Sequence, residues 1–182
     1  MSYACYACHG LGVIQPIDEI AMELNAATPP GVHFNIVGGV DPRIEQGAIE
    51  SRMAAIASTY EFIWIGHSLG AALGFYLPQK YPKWKFALVI TVDPTDWGSN
   101  INSSPWITNP PHPGHWHASP NAKRWINIRS SQYPGGGILD GNSPAWEDHH
   151  FPELPHIGII LDPRVKKIIF DAVKGEVEGK KE

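Results

Sequence analysis

The sequence predicts an α/β fold: a three-layer α/β/α sandwich around a mostly parallel sheet of five or six strands. Three observations carry this. Short apolar runs alternate with amphipathic stretches along the chain. One run, KFALVITV (85–92), is apolar almost throughout, as a strand covered on both faces must be. The 182 residues suffice for one domain with a sizeable core.

The elements follow in order. SYACYAC (2–8) is short, apolar and aromatic, and reads as a buried strand. PIDEIAMEL (16–24) sets Ile17, Ile20, Ala21 and Leu24 on one helical face. VHFNIV (32–37) is a second strand, ended by Gly38-Gly39. Asp41-Pro42 supply an N-cap and a first helical residue, and Ile49, Met53 and Ile56 follow at helical spacing. EFIWIG (61–66) is a third strand, and LGAALGFYLPQKY (69–81) a helix apolar nearly all round, hence buried. After the strand at 85–92, RWINIRS (124–130) is a fifth. Asp162-Pro163 open a last helix with Val165, Ile168, Ile169 and Val173 on its apolar side and Gly175 suited to its end. Residues 1–175 read as one domain and 176–182 as a frayed polar tail. The interruption is 97–123, rich in Pro, Asn and Trp, which reads as a long loop or lid.

Composition removes several classes of function. Apolar residues make up 43% and charged residues 18%, as in an ordinary globular protein. The net charge of −4 offers no basic footprint, so no nucleic-acid partner is expected. No apolar run approaches ~18 residues, so no transmembrane segment is expected. The N-terminus lacks a basic region, a long apolar stretch and a small-residue cleavage site, which predicts a cytoplasmic location. Cys5 and Cys8 are the only cysteines, too few for a disulfide framework.

The chemistry concentrates in Gly66-His67-Ser68-Leu69-Gly70, a Gly-x-Ser-x-Gly stretch with a strand before it and a helix after it. A sharp strand-to-helix turn lifts a nucleophilic hydroxyl above the sheet edge. A side chain at Gly66 or Gly70 would crowd that turn. The turn also sets the helix N-terminus, with its free N–H groups, beneath a developing oxyanion, and makes the Leu69 N–H one donor. The pentapeptide alone arises by chance; its flanking strand and helix make it specific.

A serine nucleophile needs a base, and the base an orienting acid, in chain order Ser, acid, His. Asp93 ends the strand after the turn, and His156 precedes the last helix. Asp140 and Asp148 compete with Asp93, which is also a turn former ahead of Pro94; His149 and His150 compete with His156. His67, Trp97, Trp106 and Trp116 are expected to contact substrate, the tryptophans suiting an apolar or aromatic acyl group.

Two further patterns bear on metals and cofactors. CYACHG (5–10) contains Cys-x-x-Cys-His, the haem-attachment pattern. On a regular strand, however, Cys5 and Cys8 point to opposite faces, which disfavours a shared metal or disulfide and favours two buried thiols. HPGHWH (112–117) places His112, His115 and His117 at ligand-like spacing, with Glu147 and Asp148 available as carboxylates. The same residues also suit a wall over the active site or a plain surface loop. No cofactor and no resident metal is expected.

GHSLG (66–70), VDP (92–94) and HGLG (9–12) together resemble the small α/β-hydrolases of the lipase and esterase type. The resemblance spans most of residues 3–175, is similar in compactness to cutinases, and departs from them in lacking their disulfides and their elbow sequence. It implies a minimal fold without a cap domain. It also implies that the Leu11 N–H is the second oxyanion donor, with Gly10 and Gly12 letting the backbone approach. The implied activity is serine-dependent hydrolysis of a small-molecule or lipid-like carboxylic ester. A metal-dependent hydrolase built on His112, His115 and His117 and a non-catalytic binding protein on the same fold are the competing readings.

Overall fold

The computed structural model describes residues 2–10, 16–39, 41–94, 115–130, 138–141 and 145–179, with the backbone alone for 43, 115–117 and 138–141. Its frame is a six-stranded sheet, all parallel, in the order β2-β1-β3-β4-β6-β8. The strands are β1 (Ser2–Cys8), β2 (Phe34–Val37), β3 (Tyr60–His67), β4 (Phe86–Val92), β6 (Ala122–Arg129) and β8 (Trp146–His150). A separate parallel pair joins β5 (His115–Ala118) to β7 (Ile138–Gly141).

The helices are α1 (Pro16–Ala27), α2 (Pro42–Ile56), α3 (Leu69–Lys80) and α4 (Pro163–Glu178). Strand alternation sorts the core into two layers. Cys5, Ala7, Ile63, Ile65, Leu88 and Ile90 face α1 and α4, meeting Ile17, Ile20, Leu24, Val165, Ile169 and Val173. Tyr6, Cys8, Phe62, Trp64 and Val89 face α2 and α3, meeting Ile49, Met53, Leu73 and Phe75. Every residue of β4 is buried, because both faces of that central strand are covered. Each fully buried aliphatic side chain contributes about 2 kcal/mol, so the middle of the sheet is a rigid platform for whatever its edge carries.

The last helix starts as its sequence requires. Asp162 accepts a hydrogen bond from the Arg164 N–H at 2.8 Å, and Pro163 fills the first helical position.

Four expectations need correction. The 97–123 stretch is not one loop: β5 lies inside it and β6 begins at Ala122. His149 and His150, for which no strand was expected, sit on one, β8. That edge strand has no apolar stripe to announce it. Ion pairs to its neighbour hold it instead, Arg124–Glu147 at 2.7 Å and Arg129–Asp148 at 2.9 Å. Gly175 does not end α4, which runs to Glu178 with Gly179 as its cap. The polar tail is therefore partly helical, and the Tyr3 hydroxyl donates to the Glu176 carbonyl at 3.1 Å. Finally, β2 begins at Phe34, two residues after its expected start.

Candidate active site

All six strands run the same way, so their carboxyl ends share one edge. The chain first moves outward from β1 to β2 and then returns to place β3 on the other side of β1. The reversal falls between β1 and β3, whose carboxyl ends are the usual place for a site in an open α/β sheet. Gly10 follows β1 and Ser68 follows β3. A Cβ on Gly10 would lie 2.7 Å from the Ser68 Cβ and 3.0 Å from its hydroxyl oxygen. Only a residue without a side chain lets the β1 loop come this close.

Ser68 occupies the strand-to-helix turn with φ 57° and ψ −120°. A non-glycine residue there is strained by about 1–3 kcal/mol. Two close contacts enforce the turn. A Cβ on Gly66 would meet the Gly70 carbonyl oxygen at 2.3 Å, and one on Gly70 would meet the Cys8 carbonyl oxygen at 2.1 Å. Ser68 stands at the N-cap of α3 yet makes no capping bond with its side chain. The hydroxyl is turned away from the helix and lies 3.1 Å from His156 Nε2. The first N–H groups of α3, beginning with Leu69, have no acceptor within the helix.

His156 lies in the irregular segment between β8 and a 3-10 turn at Ile159–Leu161. Its Nδ1 is 2.5 Å from Asp93 Oδ2. With Nδ1–H donating to Asp93, Nε2 is left as the acceptor for the Ser68 hydroxyl. Asp93 is fully buried and follows β4. Burial pushes its carboxyl up, but the hydrogen bonds from His156 and Ser130 outweigh that and hold it below the usual aspartate value. The Ser130 N–H donates to Asp93 Oδ1 and the Ser130 hydroxyl to Oδ2, each at 3.0 Å. This hydroxyl–imidazole–carboxylate chain can draw a proton off Oγ and stabilise the resulting imidazolium.

Two of the competing residues, Asp148 and His149, have partners of their own. Asp148 pairs with Arg129 and accepts from Asn127 Nδ2 at 2.8 Å, on the sheet face toward α2 and α3. His149 Nε2 is 3.6 Å from Glu147 on its own strand. The side chain of Asp140 lies outside the described residues, as do Leu11, Trp97, Trp106, His112 and the side chains of His115, Trp116 and His117. His67, expected to contact substrate, is 2% exposed, and its ring lies against His156. As the last residue of β3 it shares the face of Ile63 and Ile65, the side on which α4 packs. Ser130 was missed, and its position at a strand end is no signal by itself.

Cys5 and Cys8 point to opposite faces, and both are free and buried. Burial pushes the Cys5 thiol up to about 12. Burial, then Glu45 and Asp18, push Cys8 up as well. Neither is disposed to act as a thiolate ligand. Among the described residues no three His, Cys, Asp or Glu side chains are grouped to hold a metal ion, and no helix is long and apolar enough to cross a membrane.

The chain has the α/β-hydrolase fold. A structure described with the metagenome-derived lipolytic enzymes LipS and LipT matches with a TM-score of 0.59 and 16% identity, covering 97% of this chain and 94% of that one. Human thioesterase 2 matches with a TM-score of 0.58 and 9% identity, covering 100% and 99%. The NocB thioesterase domain from the nocardicin cluster matches with a TM-score of 0.54 and 14% identity, covering 98% and 95%. No protein-family model and no curated protein sequence matches the chain.

Proposed function

We propose that the protein is a serine hydrolase that cleaves a carboxylic ester or thioester through an acyl-enzyme on Ser68. The observation that carries this reading is the unbroken chain from Ser68 Oγ through the His156 ring to Asp93, at 3.1 Å and 2.5 Å. The lipolytic and thioesterase neighbours support the same chemistry and extend it to thioesters.

In the first half-reaction Ser68 Oγ attacks the acyl carbonyl carbon and its proton passes to His156 Nε2. The negative charge on the carbonyl oxygen meets the Leu69 N–H and, as the lipase resemblance implies, the Leu11 N–H. His156 then gives the proton to the departing alkoxide or thiolate, leaving an ester on Ser68. In the second half, water gives a proton to His156 and attacks that ester; collapse returns the proton to Ser68 and frees the acid. Asp93 keeps the His156 ring in the tautomer with Nδ1–H and offsets its charge, while Ser130 holds both carboxylate oxygens in place.

Turnover of p-nitrophenyl esters and acyl-thioesters of graded chain length tests the proposal. Hydrolysis that survives EDTA and falls on the order of 10⁴-fold or more in Ser68→Ala supports it. Hydrolysis lost with EDTA and indifferent to Ser68→Ala would favour a metal site. No turnover by the folded chain would favour a binding role.

A further inference from the structure

His67 is adjacent in sequence to Ser68, yet its ring grips the residue that Ser68 faces. Its Nε2 lies 3.0 Å from the backbone carbonyl oxygen of His156. The two imidazole rings stack at 4.9 Å between centroids with 27° between planes. Because a carbonyl only accepts, His67 must carry its proton on Nε2. Its Nδ1, the unprotonated nitrogen of that tautomer, is buried and has no hydrogen-bond partner among the described residues.

We propose that His67 is a positioning residue for His156, holding its backbone carbonyl and its ring so that Nε2 stays on the Ser68 hydroxyl. The inference rests on the reading of Ser68 and His156 as nucleophile and base.

The segment from Phe151 to Gly158 has no helical or strand ladder to fix it. Its local backbone bonds are turn bonds, Leu154 N–H to the Phe151 carbonyl and Ile159 N–H to the Pro155 carbonyl. Asp93 anchors one end of the imidazole. The His67 bond fixes a second point on the same residue, and it springs from the buried end of β3, the strand that also carries Ser68. Nucleophile and base are thereby set from a single rigid support. A displacement of about 1 Å in such a pair costs up to roughly 100-fold in rate.

Histidine suits this place better than other donors. His156 becomes a cation during turnover, so whatever stacks on it must stay neutral. Burial and the neighbouring His156 push His67 down to about 4, against the pull of its bond to the His156 carbonyl and of the Asp93 carboxylate. Phenylalanine keeps the ring and loses the donor. Glutamine keeps a donor at the reach of Nε2 and loses the ring.

The experiment compares wild type, His67→Phe and His67→Gln by kcat and KM on an aryl acetate, and by the rate of fluorophosphonate labelling. His67→Phe is expected to lower kcat and labelling roughly 10- to 100-fold with KM within about 2-fold, and His67→Gln to recover most of that loss. Wild-type kcat in His67→Phe, or a His67→Gln no better than His67→Phe, would overturn the proposal. Imidazole ¹⁵N shifts of the wild-type chain test it without any variant: His67 is expected neutral and protonated on Nε2 from pH 5.5 to 8. Titration in that range, or a proton on Nδ1, would overturn it. A wild-type chain that takes no label overturns the underlying reading instead, and does so before any variant is made.

Discussion

Ser68 and Asp93 share one unusual feature: they are the two non-glycine residues at positive φ among the described residues, at 57° and 43°. Each directly follows one of two neighbouring parallel strands. Each is pinned by one more step of the sheet ladder, Ser68 N–H to the Val92 carbonyl at 3.0 Å and Asp93 N–H to the Ile128 carbonyl at 2.6 Å. The sheet thus forces both side chains off the strand direction and onto its carboxyl edge. Among the described residues, backbone strain at non-glycine positions is confined to these two, both at the edge that carries the proposed site.

The strain separates stability from activity. Ser68→Gly removes the penalty of a side chain at positive φ, so the variant is expected to be more stable than wild type by about 1 kcal/mol while hydrolysis is lost. Urea unfolding beside an esterase assay reads both. Asp93→Asn is expected to fold and to lower kcat by about 10³- to 10⁴-fold, because the amide favours the wrong imidazole tautomer.

Ser130 gives Asp93 one bond from its backbone and one from its side chain. Ser130→Ala removes only the second, so kcat is expected to fall by about tenfold, in line with a hydrogen bond to a charged group. A steady-state assay that finds no change would show that the backbone N–H and His156 alone hold the carboxylate.

The glycines divide by what surrounds them. A methyl group at Gly70 would meet the Cys8 carbonyl oxygen at 2.1 Å, whereas one at Gly47, exposed on α2, would meet nothing within 4 Å. Gly70→Ala is expected to destabilise by more than about 3 kcal/mol, and Gly47→Ala to stabilise by about 0.5–1 kcal/mol. Thermal melts of the two variants provide the comparison.

His67 also makes the fold sensitive to acid. Its value of about 4, against an ordinary 6.5, means that the unfolded chain binds a proton in this window that the native chain does not. Stability therefore falls as pH drops from 6.5 toward 4, by at most about 3 kcal/mol from this residue. Asp93 acts lower. Its depressed value gives stability that is present above the ordinary 3.8 and lost as pH falls through the folded value. Urea titrations at pH 7 and 4.5 are expected to show a smaller loss for His67→Gln than for wild type.

Much of this arrangement was legible in the residues themselves. β1, β3 and β4 are continuous apolar runs because both their faces are buried, and such runs are visible without knowledge of their partners. The Gly-x-Ser-x-Gly turn is local, so five residues reveal it. Asp93 and His156 stand 63 residues apart, and only their order after Ser68 connected them in advance. β8 was hidden because an edge strand stabilised by ion pairs carries no apolar alternation. Ser130 was hidden because a serine after a strand is common and its partner is remote. The placement of His67 was accessible in part, since it shares the parity of Ile63 and Ile65; which helix covers that face was not.

The most direct test of the central claim is covalent labelling of the wild-type chain with a fluorophosphonate, read by intact mass and peptide mapping, with and without EDTA. A single adduct on Ser68, indifferent to EDTA and absent in Ser68→Ala, is the predicted result. A folded chain that takes no adduct, or takes it at another residue, would contradict the assignment of Ser68 as the activated nucleophile.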